Sequence, residues 1–166
     1  MLNILLFTTI ARQRRLADEL FSLLHEKLHR EKFFSFRLSE KAREEIITDL
    51  FSKKSVERIV RAIFSYMSIS FTMVDVVVSV EQESHFRSSG TVGQYVSRGG
   101  TKREIHNNIK RDYSLNEIFS ILCHESIHHY LWRKDVIHPD NDTNEKLTDV
   151  AAIYFDFGYY VKKGNR

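Results

Sequence analysis

The residues best suited to chemistry are His124, Glu125 and His128, which form His-Glu-x-x-His inside the apolar segment Ile121-Leu122-Cys123-His124-Glu125-Ser126-Ile127-His128-His129-Tyr130. On a helix, side chains four apart rise from one face, so the two imidazoles can reach one metal ion. Glu125 stands about 100° round the axis. From there it can touch a water on that ion without ligating the ion, which is where a general base belongs. With 8 His and 13 Glu in 166 residues, composition alone gives such a motif a chance of about 0.03. A third ligand is therefore required before a site is argued.

One follows. Beyond the polar loop 136–142 the chain reads Thr143-Asn144-Glu145-Lys146-Leu147-Thr148-Asp149-Val150-Ala151-Ala152-Ile153-Tyr154-Phe155, a second helical segment with Glu145 and Asp149 on one face. Two His and one Glu, leaving a position open to water, is the donor set of catalytic rather than structural zinc. Asp149, one turn on, suits a carboxylate that accepts the other N–H of a ligand His and fixes its tautomer. Ala152 continues the stripe and lets the two helices approach closely.

These residues carry a family resemblance. His124-Glu125-x-x-His128 followed by Asn144-Glu145-x-x-Thr148-Asp149 resembles the gluzincin metallopeptidases, the thermolysin-like group whose second helix carries Asn-Glu-x-x-(Ser/Thr)-Asp. The resemblance runs from Leu115 to about Tyr160, and in size the chain is closest to the short members called minigluzincins. It implies zinc ligation by His124, His128 and Glu145, general-base catalysis by Glu125, and orientation of a ligand His by Asp149. The activity implied is zinc-dependent peptide hydrolysis, in which replacement of Glu125 by Gln abolishes turnover and leaves zinc bound. Larger relatives complete the site with a His or Tyr from a second domain; here His138, Tyr154, Tyr159 and Tyr160 are the candidates by proximity.

The elements that must position these groups follow from periodicity. Ser114-Leu115-Asn116-Glu117 fits a capping box, and no Pro or Gly follows until Pro139, so the motif segment reads as a helix through Trp132. Its apolar positions nearly encircle it, which predicts burial in the middle of a domain. Upstream, Leu16, Leu20, Leu23, Leu24 and Leu28 give a helical stripe over Ala11–Glu31. Phe33–Leu38 alternates as a short strand, Ser39 caps a helix running to about Ser52, and Ser55 opens a third. Phe71–Val80 is β-branched and reads as a buried strand; Thr91–Val96 reads as a strand between two turns, and Lys102–Lys110 as one further strand. The expected architecture is α+β in a single zincin-like domain: helical over 1–69, then a small mixed or antiparallel sheet of three or four strands with the two zinc-bearing helices over 70–166.

In the resembled family an edge strand above the zinc pairs with an extended peptide. By position that strand is Ile105–Ile109, with Asn107 and Asn108 as the substrate-binding side chains; the alternative is an ordinary sheet strand.

Composition bounds the rest. One domain is the prior for 166 residues at 42% hydrophobic content. A net charge of +3 permits nucleic-acid contact without arguing for it. That reading would rest on scattered Arg12, Arg14, Arg15, Lys102 and Arg103, and charge runs are ordinarily solvated faces. The apolar run Leu2–Ile10 precedes its basic residues, the reverse of a secretory signal, and no stretch is long enough to span a bilayer. A single Cys fits a reducing, cytoplasmic setting. Cys123 itself reads as a small buried hydrophobe, His129 as a packed or surface residue, and the pair His25 and His29 as solvated side chains. The expected partner is thus an extended peptide or protein. The competing expectation is a latent or structural zinc protein whose site is blocked by its own C-terminal segment, Phe157–Arg166.

Overall fold

A computed structural model describes residues 2–28, 36–81, 93–97 and 103–160. Among the described residues, five helices and three strands make a mixed α+β fold: α1 (Leu2–Leu28), α2 (Glu40–Thr48), α3 (Lys53–Tyr66), β1 (Val74–Glu81), β2 (Gly93–Ser97), β3 (Arg103–Lys110), α4 (Leu115–Arg133) and α5 (Asn141–Tyr154), with a 3-10 turn at Phe71–Met73 before β1. No described helix is long and apolar enough to cross a membrane.

Local chemistry sets most boundaries. Ser114 and Glu117 form the reciprocal capping box that starts α4: the Glu117 carboxylate accepts from the Ser114 N–H at 2.7 Å, and the Ser114 hydroxyl accepts from the Glu117 N–H at 3.3 Å. Ser39 caps α2 as its sequence predicts. That helix stops at Thr48 rather than near Ser52, because the Ser52 hydroxyl accepts from the Ser55 N–H and starts α3. α1 begins at Leu2, so the apolar run read as preceding the helix belongs to it. The strand expected over Phe33–Leu38 does not appear in its described part, 36–38, where Phe36 is buried against Phe119 and Phe157; Phe33–Ser35 lie outside the described residues. His25 is exposed, as expected, and His29 lies outside the described residues.

α3, α4 and α5 end alike. After each, the next residue but one from the last helical position takes a left-handed conformation: Ser68 (φ 57), Asp135 (φ 55) and Asp156 (φ 63). The residue after it donates back five positions, Ile69 to Phe64, Val136 to Leu131 and Phe157 to Ala152, each at 2.8–2.9 Å. These Schellman closures consume carbonyls that would otherwise be orphaned, and they tuck Val136 and Phe157 into the core.

The sheet order is β1-β3-β2, with β1 parallel and β2 antiparallel to β3. This corrects the placement of the edge. β3 is the middle strand, so both sides of its backbone are engaged, and it has no open edge to offer a peptide over Ile105–Ile109. Among the described residues, the edges are β1 and β2. Arg103, Ile105, Asn107 and Ile109 face inward from β3, and α4 packs across β2 and β3 while also touching α3 and α5. As its encircling apolar pattern predicts, α4 is buried from Ile118 to Leu131 save for a few positions, among them the two motif histidines, which are partly open.

Candidate metal centre

His124 and His128, one turn apart on α4, meet Glu145 from the first turns of α5. His124 Nε2 lies 3.0 Å from Glu145 Oε2, His128 Nε2 lies 3.4 Å from the same oxygen, and the two Nε2 atoms are 3.1 Å apart. Two ligands at about 2.0–2.1 Å from one ion and at a tetrahedral angle stand about 3.3 Å apart, so the three atoms are spaced to share one metal ion. They are the one group of His, Cys, Asp and Glu side chains among the described residues close enough to do so. α5 reaches this position because Asp140 caps it, accepting from the Thr143 N–H at 2.8 Å, and because Ala151 and Ala152 are fully packed against the core.

The outer nitrogens of both imidazoles are committed. His124 Nδ1 is 3.1 Å from Asp149 Oδ1, the role assigned to Asp149 from its spacing. His128 Nδ1 is 3.1 Å from Thr148 Oγ1, whose own hydrogen goes to the Asn144 carbonyl at 3.0 Å. Thr148 therefore accepts, and His128 carries its proton on Nδ1. Each Nε2 is left as a lone pair aimed at the other and at the carboxylate. Three such donors in contact repel one another unless a cation lies among them. Thr148 stood in the motif without a role; its contact with His128, on the other helix, reveals it.

Without an ion, a proton can serve. Burial acts to lower the His124 pKa, but the hydrogen bond to Asp149, the charges of Glu125 and Asp149 and the hydrogen bond to Glu145 outweigh it and raise the pKa to about 8. His128, buried and beside His124, is pushed down. The sign follows directly. The folded-state pKa of His124 lies above its ordinary 6.5, so the proton stabilises the metal-free fold below that value, and this contribution is lost as pH rises through about 8. Metal must displace the proton, so zinc affinity is expected to rise about tenfold per pH unit up to about 8 and to level off above it. Titrations of metal-free protein between these limits check this; a flat profile would contradict it.

Glu125 is buried at 6% exposure beside the triad, and burial is the main cause that lifts its carboxyl to about 7. The Tyr95 N–H donates to it. Tyr95 is the organising residue that sequence reasoning did not identify. Its ring lies parallel to that of His128 with centroids 6.4 Å apart, and its hydroxyl is 3.0 Å from His129 Nδ1. The Arg103 guanidinium donates to that same hydroxyl and lies over the Trp132 ring at 3.9 Å. Burial pushes the Tyr95 pKa up to about 12 and the His129 pKa down to about 4, so the phenol and the imidazole that share this hydrogen bond are both neutral. His129 is thus the packed histidine expected, stacked on Phe64. One strand residue in this way grips three residues of the motif helix.

Gly93 makes this possible. A Cβ there would stand 2.6 Å from Glu125 Oε1 and 2.6 Å from Ile121 Cγ2, so the need is for space rather than backbone freedom. Gly93, Gln94 and Tyr95 form one wall of a 440 Å³ cavity; Glu125, His128, Asn141, Asn144 and Glu145 form the rest.

Asn107 and Asn108 are absent from that lining. Asn107 is 1% exposed beneath α4, paired in register with Gly93, and its side-chain amide has no partner among the described residues. Asn108 points to the opposite face, where its Oδ1 accepts from the Ser79 hydroxyl at 3.1 Å. The strand's alternation forces this split. Nor do His138, Tyr154, Tyr159 or Tyr160 line the cavity. His138 accepts from the Asp140 N–H, Tyr154 packs on Phe21 and Phe155, and Tyr160 packs on Phe119. The described part of the C-terminal segment, 157–160, packs on Phe36 and Phe119, and 161–166 lie outside the described residues. Cys123 is a fully buried thiol whose pKa burial pushes well up, in keeping with a packing role.

His124, His128 and Glu145 can together hold a metal ion. No protein-family model, curated protein or solved structure matches this chain.

Proposed function

We propose that the protein is a zinc-dependent peptidase. The observation that carries this reading is the convergence of two imidazole lone pairs and one carboxylate oxygen within 3.4 Å, with a buried carboxyl on the adjacent helical position. Zinc is favoured because two His and one Glu with an open position is the donor set of hydrolytic zinc, and bound there it would activate water and polarise a carbonyl. Each other step belongs to the chain. Glu125, held ready by the Tyr95 N–H and raised to about 7, takes the proton of the attacking water and delivers it to the leaving amine nitrogen.

The substrate strand falls to β2 rather than to Ile105–Ile109. β2 is an edge of the described sheet, and its residues Gly93, Gln94 and Tyr95 line the cavity beside Glu125 and the triad, so an extended peptide can add along that edge. A thiol at Cys123 suits a reducing compartment, the cytoplasm.

The test is cleavage of a peptide library by the zinc-loaded chain. Cleavage is expected to stop on chelation and to return when zinc is restored. A loaded chain that cleaves no member, or one whose cleavage survives complete removal of metal, would overturn the reading.

A further inference from the structure

A second and larger cavity, 560 Å³, opens where α4 begins and α5 ends, and it shares no lining residue with the first. Its volume falls within the range of small-molecule sites, about 300–1,000 Å³. Phe36, Phe119 and Tyr160 form its apolar side: the Phe119 and Tyr160 rings lie 4.2 Å apart, and Phe36 meets both. Arg37 and Arg43 also line it, and both side chains are exposed.

The charges here are poorly matched. Two guanidinium groups stand against one carboxylate, Asp156, and among the described residues no ion pair joins either arginine to an acid. Burial pushes the Tyr160 pKa up, while the Arg43 and Arg37 charges both pull against it, so both cations act on the same hydroxyl within the cavity. A planar guanidinium that is joined to no acid among the described residues, next to closely packed aromatic rings, is equipped to bind an anion carrying a flat apolar body.

We infer that this cavity is a binding site for a small organic anion, an aromatic carboxylate, sulfonate or phosphate, whose ring packs on Phe119 and Tyr160 and whose charge is met by Arg37 and Arg43.

Anilinonaphthalene sulfonate, an aromatic anion, is the probe. Titrated into the folded full chain, it is expected to bind saturably at one site per chain. Affinity should fall by about tenfold or more in the Arg37→Gln/Arg43→Gln variant, since charge-assisted bonds to the anion are lost. Uncharged phenylnaphthylamine should bind the native chain correspondingly more weakly, and Glu145→Ala should leave sulfonate binding unchanged. Both arginines are exposed, so the double variant is expected to melt with the native chain. If it does not, Arg37→Lys/Arg43→Lys, which keeps the charge and loses the planar fork, must give an intermediate affinity. Saturable binding that is equal in the native and double-glutamine chains, equal affinity for the neutral probe, or no saturable binding would each overturn the inference.

Discussion

Replacing Glu125 by Gln is expected to lower kcat by about 10²–10⁴-fold, the contribution of a positioned general base, while the chain keeps its full zinc content. The amide is isosteric, so it can still sit against Gly93, but it cannot take a proton from water. Glu125 holds neither ligand imidazole in place: His124 is fixed by Asp149 and His128 by Thr148. Metal content and turnover measured on one preparation separate the two roles. Loss of zinc in the variant would show that Glu125 is a ligand, and unchanged turnover would show that it is no base.

Gly93→Ala is expected to have the second-largest effect. The added methyl would meet Glu125 Oε1 and Ile121 Cγ2, each at 2.6 Å. Either the carboxylate moves or β2 lifts from α4, and lifting breaks the Tyr95 N–H bond to Glu125. Overpacking of this kind costs about 1–3 kcal/mol of stability, and a displacement of about 1 Å at a catalytic group costs about 10²-fold in rate. Zinc affinity should change little, because the side chains the methyl would meet, Glu125 and Ile121, are not among the three ligands. Thermal unfolding and kcat on the zinc-loaded variant check this; native turnover would mean that β2 does not position Glu125.

The site was legible in the sequence where it rests on helical spacing. His124 and His128 follow from a four-residue repeat on one helix, with Glu125 about 100° round from them, and Glu145 with Asp149 from the same repeat on the next; the structure brings His124, His128, Glu145 and Asp149 together. Capping residues were equally readable, because Ser39, Ser114 and their partners act within a single turn. What stayed hidden depends on contacts distant in sequence. Tyr95 reaches His129 across 34 positions, and no local pattern marks it. Gly93 reads as an ordinary strand residue until α4 is laid over it. The choice between an edge strand and an ordinary sheet strand for Ile105–Ile109 stays open in the sequence for the same reason: alternation tells which residues face inward but not which strand lies in the middle, where the structure puts β3. Asn107, expected at the substrate, is instead the most deeply placed polar residue of β3.

The central claim is that His124, His128 and Glu145 hold one metal ion. The most direct measurement is zinc bound per chain at equilibrium, on protein first stripped of metal, with X-ray absorption at the zinc edge, for the native chain and for Glu145→Ala. The account predicts about one zinc per native chain, ligated by two imidazole nitrogens and a carboxylate oxygen, and markedly weakened binding in the variant. A native chain that refuses zinc, or a variant that binds it as tightly with the same ligands, would contradict it.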